Sequence, residues 1–366
     1  MKYYIIAGEA SGDLHASNLM RELKLVDGNS TFRCWGGDLM KEQGADLVKH
    51  YRDLAFMGFT EVLMNIRTIL NNIEFCKKDI LANRPDVLIL VDYPGFNLRI
   101  AEFAKQNGIK VFYYISPQIW AWKQSRVHKI KKVVDKMFVI LPFEKDFYKQ
   151  FDYNVDFVGH PLLDAVESFK NQPSKLEFSS DKPLIALLPG SRKQEISVML
   201  PLMLTMQKHY PNYQFVIAGA PSQNLEFYSE FIAGKNIPIV FGQTYQLLQK
   251  STAALVTSGT ATLETALFGV PEVVCYQGGR ISYLIAKQLI KVKYISLVNL
   301  IMDQEIVKEL IQAELNETNL KLELDKLLAT EPRNTMLQNY VALKNKLGGA
   351  GASKKTAELM FGYLTK

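Results

Sequence analysis

The chain has 366 residues, of which 48% are hydrophobic and 22% charged, and its formal net charge is +6. These values are typical of a globular protein of about two domains and argue against intrinsic disorder. The cysteines (Cys34, Cys76 and Cys275) lie far apart and form no CxxC pair. A disulfide framework is therefore not predicted, and a reducing, cytoplasmic location is favoured.

The sequence contains no pattern typical of a metal site or of a membrane span. The five histidines never reach a ligand spacing such as HExxH, so no metal is predicted. No run approaches the ~18 uncharged apolar residues that a membrane-spanning helix needs. The apolar run from Tyr3 to Ala7 meets Glu9 at once, and it predicts a first buried strand rather than the core of a signal peptide.

Short apolar runs alternate with helical stretches in the first half of the chain, the βαβ rhythm of a parallel sheet. The predicted strands are YYIIA, Asp86 to Asp92, Lys110 to Ser116 and Lys136 to Leu141. A polar stretch without apolar periodicity, Phe169 to Pro183, is the predicted linker.

The same rhythm restarts after this linker. The predicted strands of the second half are Leu184 to Arg192, Tyr213 to Ala220, Ile237 to Gly242, Ala253 to Gly259 and Pro271 to Tyr276. The sequence thus predicts an α/β protein with two Rossmann-like domains, whose parallel sheets face each other across a cleft. Ligands bind beyond the carboxyl ends of the strands in such sheets, so functional residues are expected there.

Two segments carry features beyond the sheet pattern. The apolar segment 54–70 places a stripe along one side of a helix, and such a stripe is more often core than membrane-interface surface, by about two to one. The basic segment from Trp122 to Lys136 holds six cations. They indicate either a solvated helix face or attraction to anionic lipid headgroups. Nucleic acid is a weaker alternative because no recognised binding motif accompanies the cations.

Two motifs of the second half favour a nucleotide-diphosphate site. SGTATLETAL begins at Ser258, and small residues at a helix start offer N–H groups and the positive end of the helix dipole to a diphosphate. Glu264 lies where it would accept hydrogen bonds from a ribose. An ordinary N-cap at Ser258 or Thr260, with Glu264 facing solvent, is an equal alternative. LPGSRKQEI places Arg192 after another strand, where a guanidinium would grip phosphate oxygens.

The first half supplies AGEASGD, which ends at Asp13, and VDYPGFN, which ends at Asn97. Asp92 closes the most hydrophobic strand, so a carboxylate directed into a cleft there would have its pKa raised by desolvation and would serve as a general base. The alternative is an Asp that caps the next turn. The sequence has no DxD pair to hold a cation beneath a sugar nucleotide, which favours metal-free chemistry.

Eight motifs, in order, make this sequence resemble the bacterial lipid-A-disaccharide synthases. They extend from residue 3 to about residue 312 and are AGEASGD, VDYPGFN, YISPQIWAW, LPFE, VGHPL, LPGSRKQEI, TSGTATLE and SLVNLI. The resemblance implies an inverting glycosyltransferase of the GT-B fold. It would transfer 2,3-diacylglucosamine from its UDP derivative to 2,3-diacylglucosamine 1-phosphate, giving a β-1,6-linked disaccharide phosphate and UDP.

The resemblance also implies roles for individual residues. Asp92 matches the catalytic base, and the next carboxylates to test are Glu9 and Asp13. The expected UDP-binding residues are Gly190, Ser191, Arg192, Ser258, Gly259, Thr260, Thr262 and Glu264. Those expected to line the acceptor and the cleft are Glu9, Ser11, Gly12, Asp13, Asn97 and Asn299. Those expected to face a membrane are Phe56, Met57, Phe59, Val62, Leu63, Ile66, Lys129 and Lys132.

The expected organisation is an acceptor- and membrane-facing domain over 1–170, a UDP-sugar domain over 180–340 and a helical segment over 341–366 that packs back on the first domain. The resemblance implies a cytoplasmic enzyme at the surface of the inner membrane, because both substrates are acylated. Those substrates are its expected partners. No nucleic acid, cofactor or metal is expected, and a homodimer stays open.

Two alternatives remain. A sugar-nucleotide epimerase with the same two-domain architecture would keep the UDP site and need no lipid-facing surface, and turnover of a UDP-sugar without an acylated acceptor distinguishes it. A two-lobed binding protein is the alternative from another class. Such proteins usually work outside the cytoplasm and carry a signal segment, a pattern not found in this sequence.

Overall fold

A computed structural model describes residues 1–53, 66–171, 175–176, 180–235, 237–279 and 292–366, without the side chain of Ile66. The chain divides into two compact units. The first contains Met1–Pro161 and Leu347–Lys366, and the second contains Leu162–Lys346. No helix within the described ranges combines the length and the apolarity needed to cross a membrane.

The first unit contains a seven-stranded parallel sheet in the order β3-β2-β1-β4-β5-β6-β7. Its strands are β1 (Lys2–Ala7), β2 (Thr31–Gly36), β3 (Asp46–His50), β4 (Val87–Val91), β5 (Lys110–Tyr114), β6 (Lys136–Val139) and β7 (Asp156–Phe157). Because the strand order reverses between β1 and β4, their carboxyl ends flank the switch point at which such sheets bind ligands.

Helices connect these strands. They are α1 (Ala10–Val26), α2 (Asp38–Glu42), α3 (Ile66–Asn83), α4 (Pro94–Gln106), α5 (Ile119–Trp122), α6 (Val127–Val133), α7 (Pro142–Lys149) and, at the boundary with the second unit, α8 (Pro161–Lys170). All five residues of β4 are buried, the pattern of a parallel strand that is covered on both faces.

The second unit contains a six-stranded parallel sheet in the order β10-β9-β8-β11-β12-β13. Its strands are β8 (Leu184–Leu188), β9 (Gln214–Gly219), β10 (Ile239–Phe241), β11 (Ser251–Thr257), β12 (Glu272–Tyr276) and β13 (Lys308–Ile311). The order reverses between β8 and β11, so the carboxyl ends of these two strands flank the switch point of this sheet.

The described helices of the second unit are α9 (Lys193–Leu204), α10 (Leu225–Ile232), α11 (Thr244–Lys250), α12 (Thr260–Phe268), α13 (Leu297–Met302), α14 (Glu317–Leu328) and α15 (Thr330–Lys346). The last helix, α16 (Ala352–Thr365), belongs to the first unit and packs along α1. Its residues Ala357 and Met360 are buried in the core of the first unit. The prediction of two Rossmann-like α/β domains with parallel sheets is confirmed.

Candidate active site

The loop after β1 lies at the switch point of the first sheet. Glu9 in this loop is half-buried and precedes α1 in an extended conformation. A Cβ atom at Gly8 would lie 2.3 Å from Cγ of Tyr93. Glycine is therefore required at this position because the ring of Tyr93, from the loop after β4, packs directly against it.

Three further residues that are expected from the sequence to face a sugar lie in the first turn of α1. Ser11 is exposed and Gly12 is buried. The Asp13 carboxylate is buried, and it accepts hydrogen bonds at 2.8 to 3.1 Å from backbone N–H groups at the start of α2: Gly37, Leu39 and Met40. Asp13 thus stabilises the amino end of α2.

The turn after β4 places two consecutive residues in the left-handed backbone conformation. Asp92 has φ 46° and Tyr93 has φ 48°. Ile115, which follows the adjacent strand β5, has φ 63°. Non-glycine residues rarely adopt this conformation, which costs about 1 to 3 kcal/mol at each position. Strain of this kind at two neighbouring strand ends is typical of a functional site.

Two buried side chains hold the carbonyl group of Asp92 in this turn. The Tyr113 hydroxyl donates a hydrogen bond to the carbonyl oxygen at 2.5 Å, and Nδ2 of Asn97 donates another at 2.7 Å. Both donor residues are fully buried. Asn97 is therefore placed to fix the turn around Asp92.

The Asp92 carboxyl group itself is half-buried. Burial raises its pKa to about 6, and the negative charge of Glu9 acts in the same direction, whereas a hydrogen bond from the backbone N–H of Tyr93 lowers the pKa. Such a group is largely ionised at neutral pH and more basic than an ordinary carboxylate. The chemistry that this position offers is general base catalysis.

In the second unit, the loop after β8 carries Arg192. Gly190 has φ 114°, a backbone conformation that favours glycine, and a Cβ atom there would lie 2.9 Å from Oε2 of Glu195. The same Oε2 atom accepts hydrogen bonds from the backbone N–H groups of Ser191 and Arg192. The Arg192 side chain is 61% exposed, and its Nη1 donates to Oε1 of Glu195 at 2.7 Å. The guanidinium is thus accessible at the carboxyl end of β8.

Helix α12 begins after β11, the strand beside β8. Its first turn is open, since Gly259 and Thr260 are exposed. Thr262 is buried and donates a hydrogen bond to the carbonyl oxygen of Gly259 at 2.9 Å, while Oγ of Ser258 donates to the carbonyl oxygen of Ile295 at 3.0 Å. These two hydroxyl groups hold the backbone at the start of the helix, where the helix dipole favours an anion.

Glu264 lies in the second turn of α12 and is half-buried. Its Oε1 accepts a hydrogen bond from the Tyr245 hydroxyl at 2.8 Å. Burial raises the pKa of the Glu264 carboxyl group, and the hydrogen bond from Tyr245 lowers it. Glu264 is therefore hydrogen-bonded to α11. It is not the solvent-facing glutamate that the alternative interpretation of this motif, an ordinary N-cap, predicts.

Asn299, from the SLVNLI motif, is fully buried within the second unit. Its Nδ2 donates hydrogen bonds to the Val307 carbonyl oxygen at 2.8 Å and to Oε1 of Glu309 at 2.9 Å, and its Oδ1 accepts from the N–H groups of Ile306 and Val307. The side chain thus joins α13 to the segment that leads into β13.

A family model described as lipid-A-disaccharide synthetase matches residues 3–360. The chain belongs to the lipid-A-disaccharide synthase family. The lipid-A-disaccharide synthase of Syntrophus aciditrophicus is 40% identical over 373 residues, which cover 99% of this chain and 97% of that relative. The enzyme of Trichlorobacter lovleyi is 39% identical over 366 residues, 97% of this chain and 96% of that relative.

Two solved structures share the fold at low sequence identity. UDP-GlcNAc 2-epimerase from Neisseria meningitidis bound to UDP-GlcNAc has a TM-score of 0.70 and 15% identity, covering 99% of this chain and 100% of that one. The glycosyltransferase of kitacinnamycin has a TM-score of 0.67 and 13% identity, and the match covers 99% of this chain and 98% of that one. These structures support the GT-B architecture, and membership of the lipid-A-disaccharide synthase family makes the chain a glycosyltransferase.

Most of the residues expected at a membrane lie outside the described residues: Phe56, Met57, Phe59, Val62, Leu63 and the side chain of Ile66. Lys132 is exposed, and Nζ of Lys129 pairs with Oε2 of Glu102 at 2.7 Å. On the same basic segment, Trp122 is 50% exposed. Two cations lie over its ring at 5.5 and 5.2 Å: Lys123 and Arg126.

The structure adds three residues to those predicted from the sequence: Tyr113, Glu195 and Tyr245. Each forms a hydrogen bond with a predicted site residue. Glu195 could have been found from the sequence, because a glutamate three residues after a helix N-cap is typical of a capping box. Tyr113 had no such signal, because an aromatic residue in an apolar run predicts core, and Tyr245 stands in a polar stretch without a recognised motif.

Proposed function

We propose that this chain carries out its family's reaction, with Asp92 as the general base. In that reaction, 2,3-diacylglucosamine passes from UDP to the 6-hydroxyl of 2,3-diacylglucosamine 1-phosphate. The observation that carries the proposal is the half-buried Asp92 carboxyl group, which has a pKa of about 6 and lies in a strained turn at the switch point of the first sheet.

The Asp92 carboxylate takes the proton of the acceptor 6-hydroxyl while that oxygen forms a bond to the anomeric carbon of the donor sugar. The bond from this carbon to the diphosphate oxygen breaks, and its electron pair leaves with UDP. Attack from the face opposite UDP inverts the configuration and gives the β linkage. Glu9 supports this step because its negative charge raises the pKa of Asp92.

The donor UDP is held by the second unit in this proposal. Arg192 and the open amino end of α12, at Gly259 and Thr260, bind the diphosphate and stabilise the charge that develops on it as it leaves. Gly190 and Ser191 shape the Arg192 loop, and Glu264 accepts hydrogen bonds from ribose hydroxyls. Two further residues, Ser258 and Thr262, hold the backbone on which the helix start depends.

Glu9, after β1, and Ser11, in the first turn of α1, offer the acceptor a carboxylate and an exposed hydroxyl, and the buried Gly12 lets this turn pack closely on Ala7. Three residues placed at the acceptor by resemblance have buried side chains that bind their own unit: Asp13, Asn97 and Asn299. We propose that these three shape the site without touching the substrate.

We further propose that the enzyme associates peripherally with the cytoplasmic surface of the inner membrane, where its acylated substrates reside. The exposed ring of Trp122, the two cations above it and Lys132 provide apolar contact and headgroup attraction together. Flotation with vesicles that contain anionic lipid tests this proposal. Trp122→Ser and Lys132→Glu should reduce the bound fraction, and unchanged flotation of both variants would exclude this surface.

The reaction itself is tested by mass spectrometry of the products that the purified full-length chain forms from the two acylated glucosamine substrates. We expect one disaccharide 1-phosphate for each UDP released, and product formation about 10²- to 10⁴-fold slower from Asp92→Asn under the same conditions. A wild-type chain that forms no disaccharide contradicts the proposal. Conversion of the UDP-sugar in the absence of acceptor would indicate an epimerase.

A further inference from the structure

Tyr245 lies in the first turn of α11, directly after β10, at the carboxyl edge of the second sheet. Its hydroxyl donates a 2.8 Å hydrogen bond to Oε1 of Glu264 on α12. Within the part of the chain that the structure describes, this is the only hydrogen bond to the Glu264 carboxylate. Oε1 is thus occupied by the protein, and no described residue donates a hydrogen bond to Oε2.

The ring of Tyr245 is held in an aromatic cluster. Its centroid lies 5.4 Å from that of Phe169, in an edge-to-face arrangement, and 5.0 Å from that of Phe268. Phe169 and Phe268 also pack on each other, with centroids 5.8 Å apart. Such contacts restrict the two side-chain torsions of a tyrosine, so the position of its hydroxyl is fixed before any ligand arrives.

We propose that Tyr245 is a positioning residue, which orients the Glu264 carboxylate toward the ribose hydroxyls of the donor UDP. This inference rests on the proposed role of Glu264 in binding the donor. The tyrosine acts through the glutamate, since its own hydroxyl proton is committed to Oε1.

The hydrogen bond from Tyr245 offsets part of the effect that burial has on the ionised Glu264 carboxylate. Burial raises the pKa of Glu264, which works against the ionised carboxylate, and the hydrogen bond from Tyr245 lowers that pKa. Burial and the charge of Glu264 both raise the pKa of Tyr245. The phenol therefore stays protonated as a donor, and it supports a carboxylate that can accept two ribose hydroxyls.

The test compares two ligands, UDP and 2′,3′-dideoxy-UDP, which lacks the ribose hydroxyls. Titration calorimetry with the full-length chain should show that the wild type prefers UDP. We expect Tyr245→Phe to weaken UDP binding by about 3- to 10-fold, the range for loss of one hydrogen bond, and to leave the affinity for the dideoxy ligand unchanged. In steady-state assays, KM for the UDP-sugar should rise while kcat changes little.

Tyr210→Phe is the matched control. It removes another tyrosine-carboxylate hydrogen bond of the second unit, from Tyr210 to Asp325 at 2.7 Å on α14. This variant should bind both ligands like the wild type. Because Tyr245 acts through Glu264, the double variant Tyr245→Phe with Glu264→Gln should bind UDP no more weakly than Glu264→Gln alone.

The outcomes separate this inference from the function on which it rests. If Glu264→Gln loses the preference for UDP over 2′,3′-dideoxy-UDP and Tyr245→Phe keeps it, the positioning role of Tyr245 is wrong, and the role of Glu264 in binding the ribose is retained. If Glu264→Gln also keeps the preference, the ribose site itself is wrong. Equal weakening of both ligands in Tyr245→Phe would overturn the inference, because it would indicate a general loss of structure.

Discussion

The hydroxyl oxygen of Tyr113 lies 2.5 Å from the carbonyl oxygen of Asp92, and the two residues come from adjacent strands of the first sheet. This hydrogen bond and that from Asn97 are what hold a left-handed turn at the end of β4. The position of the Asp92 carboxylate therefore depends on two side chains that are fully buried.

Tyr113→Phe should lower kcat by about tenfold, because the loss of one strong hydrogen bond lets the strained turn relax. KM for the UDP-sugar should not change, since Tyr113 belongs to the first unit. Tyr3→Phe is the control, because it removes a buried hydroxyl that donates to Asp27 at the amino end of the same sheet. An equal loss of kcat in both variants would indicate a general packing effect.

Asp92→Asn keeps the shape of the side chain but cannot accept a proton, so the rate should fall by about 10²- to 10⁴-fold. In the wild type, kcat/KM should fall as the pH drops below about 6, because the carboxylate becomes protonated there. Initial rates across the pH range measure both effects. If the variant binds both substrates and turns over at the wild-type rate, Asp92 is not the general base, and Glu9 is the next carboxylate to test.

Arg192→Ala should weaken UDP binding by about tenfold or more, because it removes a charge-assisted contact to phosphate. Its ion pair with Glu195 is exposed and contributes little to stability, so the variant should fold normally. Lys208→Ala, which removes a similar exposed pair with Glu317, is the control. If calorimetry shows that Arg192→Ala binds UDP with unchanged affinity, Arg192 does not contribute to donor binding.

A chelator should leave the initial rate unchanged, because the proposal draws the positive charge at the diphosphate from Arg192 and the amino end of α12. The assay uses enzyme dialysed against excess EDTA, with substrate added afterwards. Complete loss of activity that Mg²⁺ restores would show that a divalent cation takes part.

Glu272→Gln should change how stability depends on pH. Glu272 is fully buried, and among the described residues neither of its carboxylate oxygens has a hydrogen-bond partner. Burial raises its pKa well above 4.5, so the folded chain keeps a proton that the unfolded chain releases. The stability that this proton provides is complete below the unfolded pKa and is lost as the pH rises toward the folded pKa.

The free energy of unfolding of Glu272→Gln, relative to the wild type, should therefore grow by up to about 1.4 kcal/mol for each pH unit above the unfolded pKa. Denaturant unfolding at several pH values measures this difference. Parallel pH profiles for the two proteins would show that the wild-type carboxyl group is not protonated in the folded chain.

Strands with continuous apolar runs were predictable from the sequence, and those with a polar interruption were not. The runs at β1, β4 and β8 stand out because nearly all of their side chains are buried. β2 is interrupted by Arg33, whose Nη2 pairs with Oδ1 of Asp79 at 2.7 Å. The strand β13 is interrupted by Glu309, which accepts hydrogen bonds from distant backbone N–H groups. Such partners cannot be read from local sequence.

The same limit applies to the candidate site. Its location follows from the rule that ligands bind at carboxyl strand ends, and Asp92 and Arg192 were found in this way. Whether a polar side chain faces a ligand or its own protein depends on partners far along the chain. Asp13 caps a helix that starts 25 residues later, and Tyr113 acts on a carbonyl group 21 residues before it.

The place of α16 in the chain makes the first unit discontinuous, because 185 residues of the second unit (162–346) separate its two parts. During synthesis, α1 cannot bury the surface that α16 covers until the whole second unit has left the ribosome. The second unit, continuous in sequence, can fold earlier. A chain truncated before Ala352 should therefore still bind UDP through its second unit. Its first unit should remain incompletely folded and open to chaperones and proteases, so the rate at which proteases cleave the first unit measures whether α16 has been synthesised and has packed on α1.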